Sequence, residues 1–196
     1  MRIGVTGGIA CGKSKVLELF AHRGWNTIRT DDLAKEILQK DCEIHSFLLE
    51  NYGEWIFNDY GSSNATVNTK RLGSIVFSDQ KSLKSLEEIL HPKVRQEWMR
   101  RCLIHKSLFH MIEVPLLFEK SLEFLFDRTI CVVVDSDRQR KRLLKRSLSI
   151  EEGKARIDIQ MNLEEKVNSA HLVISSSGSL QALDEQVNEI HNSLVF

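Results

Sequence analysis

The sequence has no surplus of charge of either sign. Its 27 Lys and Arg balance 27 Asp and Glu, which argues against a general nucleic-acid or membrane-surface binder, since such proteins need an excess of positive charge. Paired cysteines are also missing. Cys11, Cys42, Cys102 and Cys131 are scattered, without C-x-x-C spacing and without a His at a zinc-site interval, so they read as free thiols of a reducing compartment. No apolar run approaches the roughly 20 residues of a membrane span. The start, Met1-Arg2-Ile3-Gly4-Val5, lacks the charged region and long apolar stretch of a signal peptide. No internal repeat or low-complexity tail is present. A cytoplasmic protein without membrane or nucleic-acid partners is expected, and a monomer.

What is present is enough apolar material, 42% of 196 residues, for one well-packed domain with a lid or an inserted subdomain. Short apolar runs alternate with amphipathic stretches, as in an α/β protein with a mostly parallel sheet. The expected strands are Ile3–Thr6, Asn26–Arg29, Met111–Val114, Ile130–Asp135 and Leu172–Ser175. Apolar spacing predicts helices over Ser14–Arg23, over Leu33–Gln39, over Asp79–Leu90 after a Ser78 cap, from Pro92 onward, and over the last stretch from Leu180 to Leu194. Ser149-x-x-Glu152 and Asn162-x-x-Glu165 read as helix N-termini. The stretch Asn58–Asn68, rich in Asn, Ser and Gly, reads as a loop inside a helical insertion.

Gly7-Gly8-Ile9-Ala10-Cys11-Gly12-Lys13-Ser14 fits G-x-x-x-x-G-K-S/T without a gap, between an expected strand and an expected helix. Glycines let the backbone curl so that successive N–H groups face phosphate oxygens, and the following helix adds its positive end. In such a loop Lys13 bridges the β- and γ-phosphates and the Ser14 hydroxyl holds Mg²⁺. The plain alternative, a glycine-rich turn joining strand to helix, does not call for the lysine or the hydroxyl. No N-K-x-D guanine-reading segment and no L-S-G-G-Q signature occurs. A compact ATP-dependent kinase remains.

Between Arg138 and Arg146 six of nine residues are basic. Guanidinium groups suit the charge spread over a transferring phosphoryl group, although most of such a run is ordinary solvated helix surface. Asp31 follows the second strand, where ligands bind in open α/β sheets. Two readings stand for it: orienting and deprotonating an acceptor hydroxyl, or joining Thr30 and Asp32 to cap and charge a helix start. Cys11 reads as a small filler of the loop. A lesser reading gives its thiol a lowered pKa at the helix N-terminus and hence sensitivity to oxidants.

The same residues resemble the dephospho-CoA kinase family. Val5 to Ser14 is similar to its T-G-G-I opening, and Asp31-Asp32-Leu33-Ala34 falls at its D-A-D-x-x-A segment. Leu90-His91-Pro92-x-Val94 resembles L-H-P-x-I/V, and Val114-Pro115-Leu116-Leu117-Phe118-Glu119 resembles V-P-L-L-F-E. Arg142 to Arg146 resembles the R-x-x-x-R lid, and Arg156-Ile157-x-x-Gln160-Met161 the R-I-x-x-Q-M that follows it. The likeness spans nearly the whole chain.

The resemblance implies a three-layer α/β P-loop kinase with a helical substrate-binding insertion and a basic lid. Its core would be residues 1–32, 111–136 and 170–196, its acceptor region about 33–110 and its lid about 137–160. The implied reaction is MgATP-dependent phosphorylation of the ribose 3′-hydroxyl of dephospho-CoA. Lys13, Asp31 as general base and Arg146 would be catalytic. Gly8, Ile9, Ala10, Cys11, Gly12, Lys13, Ser14, Lys15, Arg142, Arg146 and Arg156 would hold ATP, with Ser14 on the metal. Thr6, Asp31, His91, Pro115 and Leu116 would line the acceptor side, His91 as a structural or positioning group. Glu113 has two open readings, a partner for a Mg²⁺-bound water or a buried structural carboxylate. The chain departs from the pattern at Arg29 for the first Asp of D-A-D, Lys15 for Thr, Ser147 for Asp, and Ser176 for Asn. Another P-loop small-molecule kinase and a non-catalytic nucleotide-binding regulator are the alternatives.

Overall fold

A computed structural model of the chain describes residues 1–145 and 160–195. The expectations for Arg146, Arg156, Ser147 and the Ser149-x-x-Glu152 cap therefore fall outside the described residues. The chain divides into two compact units, Met1–Arg29 with His105–Phe196, and Thr30–Ile104.

The first unit carries a five-stranded sheet of β1 (Arg2–Gly7), β2 (Asn26–Arg29), β5 (His110–Glu113), β6 (Arg128–Val133) and β7 (Leu172–Ser175), in the order β2-β5-β1-β6-β7. Every pairing is parallel. Parallel strands covered on both faces need no polar alternation, and Ile130, Cys131 and Val132 are accordingly fully buried. On one face α1 (Lys13–Ala21) and α8 (Leu180–Val195) bury Val16, Phe20, Leu183 and Val187 against Ile3, Val5, Ile130 and Ile174. On the other face Gly4 is hemmed in, and a Cβ there would lie 2.5 Å from Leu117 and 2.8 Å from Phe126. The remaining helices of this unit are α6 (Ser136–Lys145) and α7 (Leu163–Ser169). Asn162 caps α7 by accepting the Glu164 N–H at 3.0 Å, as its sequence pattern implies.

The second unit holds α2 (Thr30–Lys40), α3 (Cys42–Tyr52), a hairpin of β3 (Phe57–Asn58) and β4 (Thr66–Val67), α4 (Thr69–Val76) and α5 (Gln80–Ile104). Leu38, Ile44, Leu48, Ile56, Val67, Leu72 and Leu86 form its core. The stretch Asn58–Asn68, expected as a loop, is so only in part: Asn58 ends β3 and Thr66–Val67 is β4, and residues 59–65 connect the two strands.

Two helix expectations need correction. Asp79, not Ser78, caps α5: its carboxylate accepts from Ser82 N–H at 2.9 Å and from Lys81 N–H at 3.3 Å, while Ser78 Oγ donates backward to Ile75 O. A carboxylate reaches both open amides, which a single hydroxyl cannot. Further, Pro92 does not begin a new helix but lies inside α5. There it removes one intrahelical N–H, and Leu86 before it and Val94, Trp98 and Cys102 after it are buried along the one element.

Candidate active site

The loop that follows β1 sits at the carboxyl end of the strand where the sheet order reverses, with β5 on one side and β6 on the other. Ligands of open α/β sheets bind there. Its curl depends on glycine at two points. Gly7 has φ 140°, and a Cβ would meet the Val132 carbonyl oxygen at 2.2 Å. Gly12 has φ 93° and forms the left-handed N-cap of α1. The loop's amides thus run into the N-terminal turn of α1, whose open N–H groups and dipole suit an anion.

Lys13 is buried, and its Nζ donates to the carbonyls of Gly7 at 3.2 Å and Gly8 at 3.0 Å, with Glu113 Oε1 at 4.0 Å. The ammonium is folded across the mouth of the loop, and Glu113, 9% exposed at the end of β5, adds a carboxylate beside it. Ser14, in the first turn of α1, presents an exposed side chain. One hydroxyl and one nearby carboxylate are hard oxygen donors of the kind Mg²⁺ takes when substrate phosphates complete its shell. Among the described residues no three His, Cys, Asp or Glu gather into a protein metal cage.

Several side chains clasp the loop from behind. Ser176 Oγ donates to Cys11 O at 2.6 Å, and Arg142 Nη1 donates to Ser176 Oγ at 2.8 Å and to Ala10 O at 3.2 Å. Arg142 Nη2 adds a bond to Ser176 O at 2.9 Å. Gln139 Nε2 donates to Ile9 O at 2.9 Å, and Ile9 N–H donates to Gln160 Oε1 at 3.2 Å. Beside this clasp opens a cleft of about 430 Å³ lined by Ala10, Gly12, Lys15, Arg142, Lys145, Ser176, Gly178, Leu180 and neighbouring side chains.

The structure thus brings Gly8, Ile9, Ala10, Cys11, Gly12, Lys13, Ser14, Lys15 and Arg142 around one loop. Lys15 pairs with Glu18 at 2.7 Å. The fully buried Thr6 donates to Pro115 O at 3.1 Å, and Leu116 is partly buried beside that proline. In the second unit Asp31 and Asp32 are exposed in the first turn of α2, which begins at Thr30. They charge that turn. His91 is exposed on α5.

The oxidant-sensing reading of Cys11 is overturned. Its side chain is fully buried, and burial pushes its thiol above the usual range despite Lys13 and Arg142 nearby. Sequence reasoning also passed over Gln139, Gln160, Glu119 and Lys166. Two of these, Glu119 and Gln160, lie in motifs already noted, and that position was their one available signal.

A parallel sheet with a phosphate loop at its reversal point, a lysine and hydroxyl at the head of α1 and a basic helix behind defines a P-loop kinase. The family model of dephospho-CoA kinase matches residues 1–182. A dephospho-CoA kinase of Bacillus licheniformis is 34% identical over 192 residues, covering 96% of this chain and 94% of that protein. The dephospho-CoA kinase of Campylobacter jejuni superimposes with a TM-score of 0.71 at 26% identity, over 98% of this chain and 96% of that one. A crystal structure from Thermus thermophilus gives 0.82 at 31% identity, over 99% and 97%. The chain belongs to the dephospho-CoA kinase family.

Proposed function

We propose that this chain transfers the γ-phosphoryl group of ATP to the ribose 3′-hydroxyl of dephospho-CoA, yielding coenzyme A and ADP. The observation that carries the reading is the loop itself: Lys13 Nζ lies within 3.2 Å of two loop carbonyls, poised where a triphosphate would enter. The open amides of the first turn of α1 bind phosphate oxygens, and Lys13 exchanges the Gly7 and Gly8 carbonyls for the β- and γ-phosphates. The base of ATP occupies the 430 Å³ cleft, between the Arg142 guanidinium and the Leu180 side chain. Ser14 would hold Mg²⁺, which when bound would supply charge neutralisation at the phosphate oxygens.

Asp31 accepts the proton of the acceptor hydroxyl and orients it for in-line attack. The Thr30–Ile104 unit serves as the acceptor-binding region, with His91 as a positioning group; Thr6, Pro115 and Leu116 complete the acceptor side. Arg146 and Arg156 act on the ATP side. Support for these roles comes from the matching motifs. The enzyme works in the cytoplasm as a monomer, without nucleic acid.

Asp31→Asn tests the base role. The account expects kcat to fall at least a hundredfold with the KM for MgATP within threefold. A change confined to ATP affinity contradicts it.

A further inference from the structure

Lys166, on the short helix α7, is fully buried. An ammonium is unfavourable in a protein interior unless it is paired and hydrogen-bonded. Here its Nζ meets Glu119 Oε1 at 2.7 Å and donates to Pro115 O at 3.0 Å. Each partner has a second task. Glu119 Oε1 also accepts the Met161 N–H at 2.9 Å, and Pro115 O also accepts the Thr6 hydroxyl at 3.1 Å. Thr6 leads directly into the phosphate loop, and Gln160, next to Met161, takes the loop's Ile9 N–H at 3.2 Å. Glu119 Oε2 is buried without a hydrogen-bond partner. A buried ion pair is weak evidence of a stabilising role, since a well-packed apolar pair of similar volume often serves a core as well.

We propose that Lys166 is a positioning residue for the kinase reaction. Through Glu119 and Pro115 it fixes the two supports of the phosphate loop, Thr6 at its entry and Gln160 against Ile9. It touches neither nucleotide nor acceptor. The inference rests on the kinase reading above, and it gives the V-P-L-L-F-E stretch a task within this chain: the carbonyl of its proline and the carboxylate of its glutamate grip one ammonium.

Lys166→Met keeps the length of the side chain and removes the charge. The expected result is a tenfold or greater fall in kcat/KM for MgATP, with the KM for dephospho-CoA within twofold. That variant leaves Glu119 buried and unpaired, so the double variant Lys166→Met/Glu119→Gln separates position from stability. It is expected to melt close to wild type yet keep the MgATP defect. Recovery of both stability and kcat/KM in the double variant overturns the inference, as does wild-type kcat/KM in Lys166→Met. Should neither chain fold, Glu119→Gln carries the test, with a threefold or greater loss expected for MgATP and wild-type behaviour overturning the idea. Calorimetric MgATP affinity of each variant gives the same readout without an acceptor. Wild-type turnover of dephospho-CoA in the same assay distinguishes failure of this inference from failure of the functional reading.

Discussion

The Ser176 hydroxyl donates to the carbonyl of Cys11 at 2.6 Å while accepting from Arg142 at 2.8 Å. The turn after β7, the phosphate loop and helix α6 are thereby joined at one oxygen. The serine side chain at this point both gives and receives. Ser176→Ala leaves a buried carbonyl and a guanidinium N–H without this partner. The expected loss is about 1–2 kcal/mol of stability, read as a Tm lower by about 2–6 °C. KM for MgATP should rise about threefold or more while kcat changes less. An unchanged Tm and KM would show that the clasp does not hold the loop.

Lys13 carries the strongest catalytic prediction. Replacing it with Ala removes the charge that would bridge the β- and γ-phosphates. Turnover should fall by about a thousandfold or more, with the far-UV circular dichroism of wild type. Near-normal turnover in a folded variant contradicts the assignment of the loop.

Much of this was legible in advance. The five strands follow from short apolar runs, and the phosphate loop from its spacing, because both are local patterns. Helix α3 escaped notice because it buries only Ile44 and Leu48 among polar residues, and its Asp41 cap is not followed by a clear apolar stripe. The continuity of α5 was hidden by Pro92, a local stop signal overridden by side chains two turns on either side. Lys166 was least legible of all. A lysine in a helix with two glutamates beside it reads as surface, and its burial depends on Pro115 and Glu119 meeting it from 51 and 47 residues away in sequence. The sequence marks Arg142 for the ATP side but not its bonds to Ala10 O, 132 residues away, and to Ser176, 34 residues away.

Acid should weaken the protein in two windows. Hydrogen bonds from Arg100 and then Arg101 hold the Glu97 carboxyl at about 2, from an ordinary 4.5. The stabilisation this brings is complete above 4.5 and is lost as pH falls from there toward about 2. His110 is shifted the other way round for a base. Burial, then the N-terminal ammonium, His105 and Arg2, hold its imidazole below 6.5. The unfolded chain therefore takes up that proton first, and stability declines as pH drops below 6.5. Urea unfolding across this range should show both slopes, with Glu97→Gln flattening the lower and His110→Asn the upper. Identical pH profiles in the variants refute the assignment.

The cysteines provide a chemical check on the loop. Cys42 is exposed, whereas Cys11 and Cys131 are fully buried. Burial pushes the Cys131 thiol up to about 11 and raises Cys11 as well. Alkylation of the native protein near neutral pH, followed by peptide mass mapping, should label Cys42 first and Cys11 slowly. Activity should survive mild peroxide, in wild type and in Cys11→Ser alike. Rapid labelling of Cys11, or peroxide inactivation that Cys11→Ser abolishes, would restore the oxidant-sensing role.

The central claim is the reaction, and ADP release from purified protein with MgATP tests it most directly, with dephospho-CoA, adenosine, AMP and shikimate offered in turn as acceptor. The account predicts turnover with dephospho-CoA alone and coenzyme A as the product by mass. Silence with dephospho-CoA despite measurable ATP binding, or turnover with another acceptor instead, would contradict it.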